Sequence, residues 1–459
     1  MKKIAEREGL DAVVHLRDYI YEYADNDSYS SETIRDERVL YPAHETITRQ
    51  DYWLRYATYR LDPNMRRAHQ QHPFIVVWDD HEPANDAWVG GAENHDPATE
   101  GDWEARKAAT KQAYFDWMPI RENGNEIYRK LSYGNLADVI MLDTRLAGRD
   151  EQINDVEDLA LYAPSRTILG DAQKEWLKDG LSDSEAIWKV IGNQVIFSEF
   201  NIGFAGLISG DSPELLESLF LDIWDGYPAE RNELTTFINA DEIEDVVFIT
   251  GDFHSSFSFE VVDPALGNPA YNPDTGDGAV AVEFATPSIS AANFDENLDA
   301  GTSALLESLI NQPIPQAGGI NFNPHMAYAD LDQHGYFVLS LYDEFAQADY
   351  YYLEDILVPS TNENWGAGLF TLAGTNNLMF AASPVPDKEL TALPAPQRGD
   401  INADGYIDWS DASDLIGALF SRKGSRRYFG AADLRADNRI DFKDIFAWYH
   451  IFTNSNGHY

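Results

Sequence analysis

Residues 74–82 read Phe-Ile-Val-Val-Trp-Asp-Asp-His-Glu, five apolar residues followed at once by three carboxylates and an imidazole. An unbroken apolar run of this length fits a short strand buried on both faces. The abrupt change of character then places the four polar residues on the loop that leaves the strand. The same construction recurs along the chain. Apolar runs at 12–16, 136–142, 188–192 and 245–250 lead into, or end in, HLRD, LDTR, GNQ and TGDFH. Between them lie stretches with helical periodicity at 48–71 and 103–117, and a short helix over 1–8 that Gly9 ends. Strands alternating with amphipathic helices predict a layered α/β fold. In such folds ligand chemistry gathers where loops leave the strand ends.

The chain has 459 residues, enough for two or three domains, and carries 33 Lys and Arg against 78 Asp and Glu for a net charge of −45. With 44% hydrophobic and 13% aromatic residues it has the makings of a core, unlike a disordered acidic tail. So negative a surface repels phosphate backbones and anionic lipid, which excludes nucleic-acid binding by electrostatic attraction, and favours cations. The absence of cysteine excludes disulfides, thiolate zinc sites, iron–sulfur clusters and cysteine nucleophiles. No apolar run approaches the roughly 20 residues of a membrane span, and the opening MKKIAEREGLDAVVHL is not a secretory signal.

Composition shifts near Pro384. The shift predicts a main domain over 1–385, a Pro-rich linker over 386–398 and a module over 399–459 with an internal repeat. In its first half Asp400, Asn402, Asp404, Tyr406, Asp408 and Asp411 hold positions 1, 3, 5, 7, 9 and 12 of a loop, with Gly405 at the sharp turn. Calcium takes six to eight oxygens, and this spacing wraps a loop around one ion. The second half keeps Asp433, Asp437, Asp441 and Asp444 at positions 1, 5, 9 and 12. There Arg435 replaces the ligand at 3 and Asn438 the glycine at 6, so this loop is the weaker candidate. The pair of Asp-terminated loops resembles a dockerin-type module. That resemblance implies Ca²⁺-dependent folding and a cohesin-like protein partner.

In the main domain, WDDHE, HLRDYIY and GDFH would bring together more like charges than a folded chain tolerates without cations between them. A site with several metal ions resolves this, and Asp, Asn, Tyr and His suit Ca²⁺, Mn²⁺ or Fe³⁺. Ser255 and Ser256 adjoin GDFH without the strand–turn–helix motif of a nucleophilic serine.

HLRDYIYEY, HPFIVVWDDHE, WEARKAATKQAYFDWMP, YGNLADVIMLDTR, WDGYPAER, TGDFHSS and NPHMAYADLDQHGY, in this order over residues 1–355, resemble the PhoD-like alkaline phosphatases. The resemblance implies a calcineurin-like metallophosphoesterase sandwich of two β-sheets flanked by helices, followed here by the small α-helical calcium-loop domain. It implies hydrolysis of phosphomonoesters and phosphodiesters, small phosphate esters as substrates, a metal-activated water or oxo nucleophile, and an extracellular or periplasmic location. Carried over by motif, Asp18 bridges the metals and Tyr21 is a phenolate ligand to iron. Asp80 and Asn85 hold calcium with Asp79 beside them, and Asp252 and His254 complete the metal ligands. Asp80, His81 and Arg145 form the catalytic set, with His81 as acid or charge stabiliser. Arg145 is either a clamp for phosphate oxygens or an ion-pair partner of Asp143. Asn323 and His325 either line the pocket or cap a loop.

Two departures stand out. The family's upstream FASC-like strand, whose Cys is an iron ligand, has no counterpart here, so the chain reads as truncated or as a damaged copy. Arg17 also stands where the family's HLGD has glycine. Besides the secreted phosphoesterase with a docking module, two readings therefore stay open. One is a catalytically impaired chain that acts as a calcium-dependent docking protein. The other is an intracellular hydrolase of another metal-dependent type, in which Mn²⁺ or a second Ca²⁺ replaces iron.

Overall fold

The computed structural model describes residues 1–25, 39–121, 126–356, 362–388, 399, 401, 407–420, 432–435 and 437–455. Of the first calcium loop, Asp400, Asn402, Asp404 and Tyr406 lie outside the described residues. The chain forms two compact units, Met1–Pro386 and Asp387–Tyr459.

In the first unit, β1 (Val13–His15) pairs in parallel with β2 (Phe74–Val76). Seven strands make the main sheet: β3 (Arg129–Tyr133), β4 (Ala137–Met141), β5 (Trp188–Asn193), β6 (Val246–Thr250), β7 (Ser256–Val261), β8 (Ala281–Ala285) and β9 (Met326–Asp330). Their spatial order is β3-β4-β5-β6-β8-β7-β9. The central β4, β5, β6 and β8 run parallel to one another. A third sheet of four antiparallel strands holds β10 (Gly335–Leu341), β11 (Phe345–Leu353), β12 (Glu363–Leu372) and β13 (Met379–Phe380). The two expected sheets are therefore joined by a third, two-stranded one.

Side chains alternate across the main sheet, as the strand period of two requires. Val139, Val190 and Val247 join a core cluster with Ala348, Tyr350 and Leu369 of the four-stranded sheet. Their neighbours Ile140, Ile191 and Phe248 join the opposite cluster, with Leu177 and Leu181 of the helix Asp171–Ser182 and Leu234 and Ile238 of the helix Pro228–Ala240. The central strands are buried on both faces, which is why they read as continuous apolar runs.

The single helix expected over 48–71 is two, Arg49–Tyr59 and Pro63–Gln71. Pro63 has no N–H for a helix interior but suits a first turn. Asp62 caps that turn by accepting from the backbone N–H groups of Asn64 at 2.7 Å and Met65 at 3.0 Å. The helix Trp103–Trp117 forms where the periodicity places it, capped by Asp102.

The second unit packs the helices Trp409–Gly417 and Phe442–Ser455 around Ile401, Ile407, Leu415, Leu434, Ile440 and Trp448. The Trp448 indole N–H donates to the Gly399 carbonyl at 2.9 Å.

Candidate metal centre

Five strands deliver the site from their C-terminal ends. β1 runs into Leu16-Arg17-Asp18, β2 into Asp79-Asp80-His81, β4 into Asp143-Thr144-Arg145, β5 into Gln194, and β6 into Gly251-Asp252. Gln194, fully buried, ties the exits of β2, β4 and β6 to that of β5. Its amide N–H groups donate to the carbonyls of Trp78 at 3.0 Å and Leu142 at 2.9 Å. Its side-chain oxygen accepts from the Thr144 hydroxyl at 2.9 Å, and its backbone carbonyl accepts from Gly251 N–H at 3.1 Å. The exits are thus cross-linked by one side chain and its backbone.

Asp18, Asp79, Asp80 and Asp252 converge, each offering a carboxylate oxygen, with all four oxygens within 4.8 Å of one another. Asp18, Asp80 and His81 form an overlapping group of three within the same distance. The cost of this arrangement shows in the acidities. Burial, with Asp80 and Asp79 nearby, pushes the Asp18 carboxyl up to about 8 despite the opposing pull of His81 and Arg17. Burial and the charge of Asp79 raise Asp252 well above the usual carboxylate range. Asp79 is raised as well, by burial against the pull of Arg145. One oxygen each of Asp79 and Asp80 is buried with no hydrogen-bond partner. Four hard oxygen donors, mutually repelling and incompletely paired, fit divalent or trivalent cations. The fit is a property of the residues, since carboxylates this close ionise together only around positive charge.

Tyr21 and His254 form the next corner. The tyrosine hydroxyl lies 3.4 Å from His254 Nε2, and His254 Nδ1 is bonded to the Ala292 carbonyl. Asp252 (φ +61°) and His254 (φ +64°) both take the left-handed backbone conformation that non-glycine residues adopt rarely and mostly at functional sites. The Asn85 backbone N–H donates to Glu22 at 2.8 Å, and its side-chain amide donates to Glu93 at 3.3 Å.

Arg145 is fully buried, but its partner is not Asp143, whose carboxylate instead accepts from the backbone N–H groups of Arg145 and Leu146. The guanidinium donates from Nε to Asp79 at 2.6 Å and from Nη1 to both oxygens of Asp222. Its Nη2 lies 3.6 Å from Asp80 and 3.5 Å from Asp252. It therefore neutralises the acidic cluster from beneath. Burial works against ionising Asp222, but Arg145 and Arg149 outweigh it and hold that carboxyl well below the usual range. Asp222 lies two residues before WDGYPAER, and nothing in its local sequence distinguishes it from the chain's other acids. Only the fold brings it to Arg145, 77 residues away.

Arg17, the residue in the glycine position, is accommodated by another glycine. A Cβ on Gly251 would lie 2.3 Å from Arg17 Cγ, so the stem of Arg17 occupies space that Gly251 leaves open. The guanidinium then donates to the Asp252 carbonyl at 3.0 Å.

Asn323 and His325 make loop-tying contacts. Asn323 exchanges hydrogen bonds with the backbone of Asn201 at 2.9 and 2.8 Å, and His325 Nε2 lies 2.8 Å from the Glu199 carbonyl. Both are buried, as are Ser255 and Ser256; the Ser256 hydroxyl accepts from Tyr352 at 2.9 Å.

In the second unit, Asp408 and Asp411 form a capping box at the start of the first helix. In the second loop Asp433 accepts from the backbone N–H groups of Asp437 and Asn438, and Asp444 from those of Arg435 and Asp441. Asn438 (φ +62°) takes the left-handed turn expected of glycine. The Arg435 guanidinium reaches Asp437 at 3.1 Å and Asp441 at 3.7 Å, so two of the four carboxylates already face a cation.

A mixed α/β sandwich with carboxylates, a phenol and imidazoles gathered at its strand exits is a protein equipped to hold metal ions in an acidic centre. The chain belongs to the PhoD-like phosphatase family, whose model matches residues 1–350. It is 38% identical over 263 residues to alkaline phosphatase D of Bacillus subtilis (strain 168), an overlap of 55% of this chain and 42% of that protein. The chain thus matches less than half the length of this curated relative. A solved structure of PhoD matches with a TM-score of 0.64 at 30% identity, covering 84% of this chain and 68% of the other.

Proposed function

We propose that the chain hydrolyses phosphate esters, monoesters and diesters, in a metal-dependent reaction. The observation that carries this is the convergence of Asp18, Asp79, Asp80 and Asp252 within 4.8 Å, with two of their oxygens buried and unpartnered. These four would hold the metal ions, with Tyr21, His254 and Asn85 as further ligands, and Ca²⁺ with Fe³⁺ or Mn²⁺ as the occupants. Bound there, the cations supply charge neutralisation for phosphoryl oxygens and acidify water. His81 stands at the edge of the cluster, where burial alone would lower its proton affinity. Without cations, Asp80, Asp18 and Glu22 outweigh that and hold the imidazole well above the usual histidine range. With Asp80 and Asp18 given to the metal ions, Glu22 Oε2 at 2.7 Å from Nδ1 is the partner that lets the ring carry a positive charge to a phosphate, or a proton to a leaving alkoxide. Arg145 sets the charge balance of the carboxylates from below, and Arg17 fits beside them without displacing them, which favours turnover over a binding-only role.

The calcium loops belong to a docking function for a cohesin-like protein partner in this reading, and the setting is extracellular or periplasmic. A separate core around Trp448 supports an independent module. Among the described residues no helix is long and apolar enough to cross a membrane.

The test is hydrolysis of a chromogenic phosphodiester and monoester by the full chain with Ca²⁺ and iron, before and after chelation. Chelator-sensitive turnover that Asp252→Ala abolishes is expected. A folded chain without turnover under all metal conditions would overturn the proposal.

A further inference from the structure

His81 is gripped by the tripeptide Tyr21-Glu22-Tyr23, and every side chain of that tripeptide takes part. The Tyr21 and Tyr23 rings lie 4.4 and 5.1 Å from the imidazole, centroid to centroid. Between them, Glu22 Oε2 lies 2.7 Å from His81 Nδ1. The other carboxylate oxygen accepts from the Asn85 backbone N–H and the Asn94 side-chain amide, both at 2.8 Å. Glu22 is fully buried, whereas the His81 side chain keeps 12% of its exposure. The backbone N–H of His81 is fixed too, donating to Asp18 at 3.2 Å.

A buried carboxylate–imidazole pair is a poor way to gain stability, because the desolvation of both groups offsets their attraction. It is a good way to fix a ring, since a carboxylate on one nitrogen sets both the orientation and which nitrogen faces outward. We propose that Glu22 is the positioning residue for His81, holding the Nδ1 edge so that Nε2 is presented to the phosphate ester. This rests on the function proposed above and extends it to a residue outside the metal cluster.

Glu22→Gln tests it, because the amide keeps the volume. Its oxygen can satisfy Asn85 and Asn94 only by turning its NH2 toward His81. In the metal-loaded full chain, kcat for a chromogenic phosphodiester is expected to fall about 100-fold with KM changed less than about threefold, in the range seen when an orienting partner is lost. In a His81→Ala background the same change is expected to cost less than about threefold, because the residue acts through the ring. Glu22→Gln within about threefold of the parent, or a loss just as large without His81, would overturn the proposal. A parent chain with no turnover would instead remove the proposed function, and the ring still reports on Glu22. Imidazole ¹⁵N spectra of the Ca²⁺-loaded parent, with the His81 signals identified by their loss in His81→Ala, are expected to show a protonated Nδ1. A bare Nδ1 there would overturn the positioning role whether or not the chain is active, and needs no variant at Glu22 to fold.

Discussion

The Nε of Arg145 donates to Asp79 at 2.6 Å, and neither side chain is exposed to solvent. The same guanidinium also serves Asp222, so the metal centre rests on one buried cation. Arg145→Ala is expected to destabilise the main unit by about 3–5 kcal/mol, the usual cost of leaving buried charge unpaired. Denaturant unfolding with chelator present measures this. Arg145→Lys keeps the charge without the fork and is expected to fall between the two. An alanine variant as stable as the parent would show that the pairing carries no weight.

Asp252→Asn should separate stability from activity. Burial and Asp79 hold the Asp252 carboxyl well above its usual range, so removing its charge relieves repulsion when no cation is present. The chelated variant is expected to be more stable than the chelated parent by about 0.5–2 kcal/mol at pH 8. In excess Ca²⁺ the order is expected to reverse, because stabilisation by ligand follows affinity. Thermal melts with chelator and with Ca²⁺ read both signs.

His325 gives a pH signature away from the centre. Burial lowers its imidazole to about 4, so the folded chain keeps it neutral while the unfolded chain, with an ordinary histidine near 6.5, takes up a proton. Its contribution to stability is therefore intact above pH 6.5 and is lost as pH falls from 6.5 toward 4. The limiting slope is about 1.4 kcal/mol per pH unit. Buried carboxyls such as Glu217, raised to about 7, slope the opposite way, so the readout is a difference. The stability gap between the parent and His325→Gln is expected to narrow steadily over that window; a gap constant with pH would count against it.

Arg435 sits among the carboxylates of the second loop, 3.1 Å from Asp437. Arg435→Asn removes the competing cation and restores an oxygen donor at loop position 3. The full chain is expected to bind one more Ca²⁺ than the parent in equilibrium dialysis, with tenfold or greater gain in affinity at that loop. Equal stoichiometry would mean that the loop is closed to calcium for another reason.

Much of this architecture is written locally. The runs before WDDHE, LDTR, GNQ and TGDFH are strands because each must be apolar on both faces, and that requirement is visible in five consecutive residues. Asp79, Asp80 and Asp252 were legible for the same reason, as charge appearing where a buried strand stops, and Asp18 as charge following the partly buried β1. The break at Pro63 was missed, because the helical periodicity continues on either side of it. What no local reading could supply are pairings made across the chain. Asp222 meets Arg145 only through packing, and Glu22 meets His81 across 59 residues. The room that Gly251 leaves for Arg17 depends on two loops approaching each other, and no spacing in the sequence encodes that distance.

Gln194 holds backbone atoms that lie 116 and 52 residues away along the chain. The strands and this one side chain, not the loops between them, set the points at which those exits are pinned. The floor of the centre is thus insulated from its walls. A chain built this way can trade one substrate-facing loop for another and still present the same four carboxylates, so diversification of what enters the site need not begin with damage to what lies at its base.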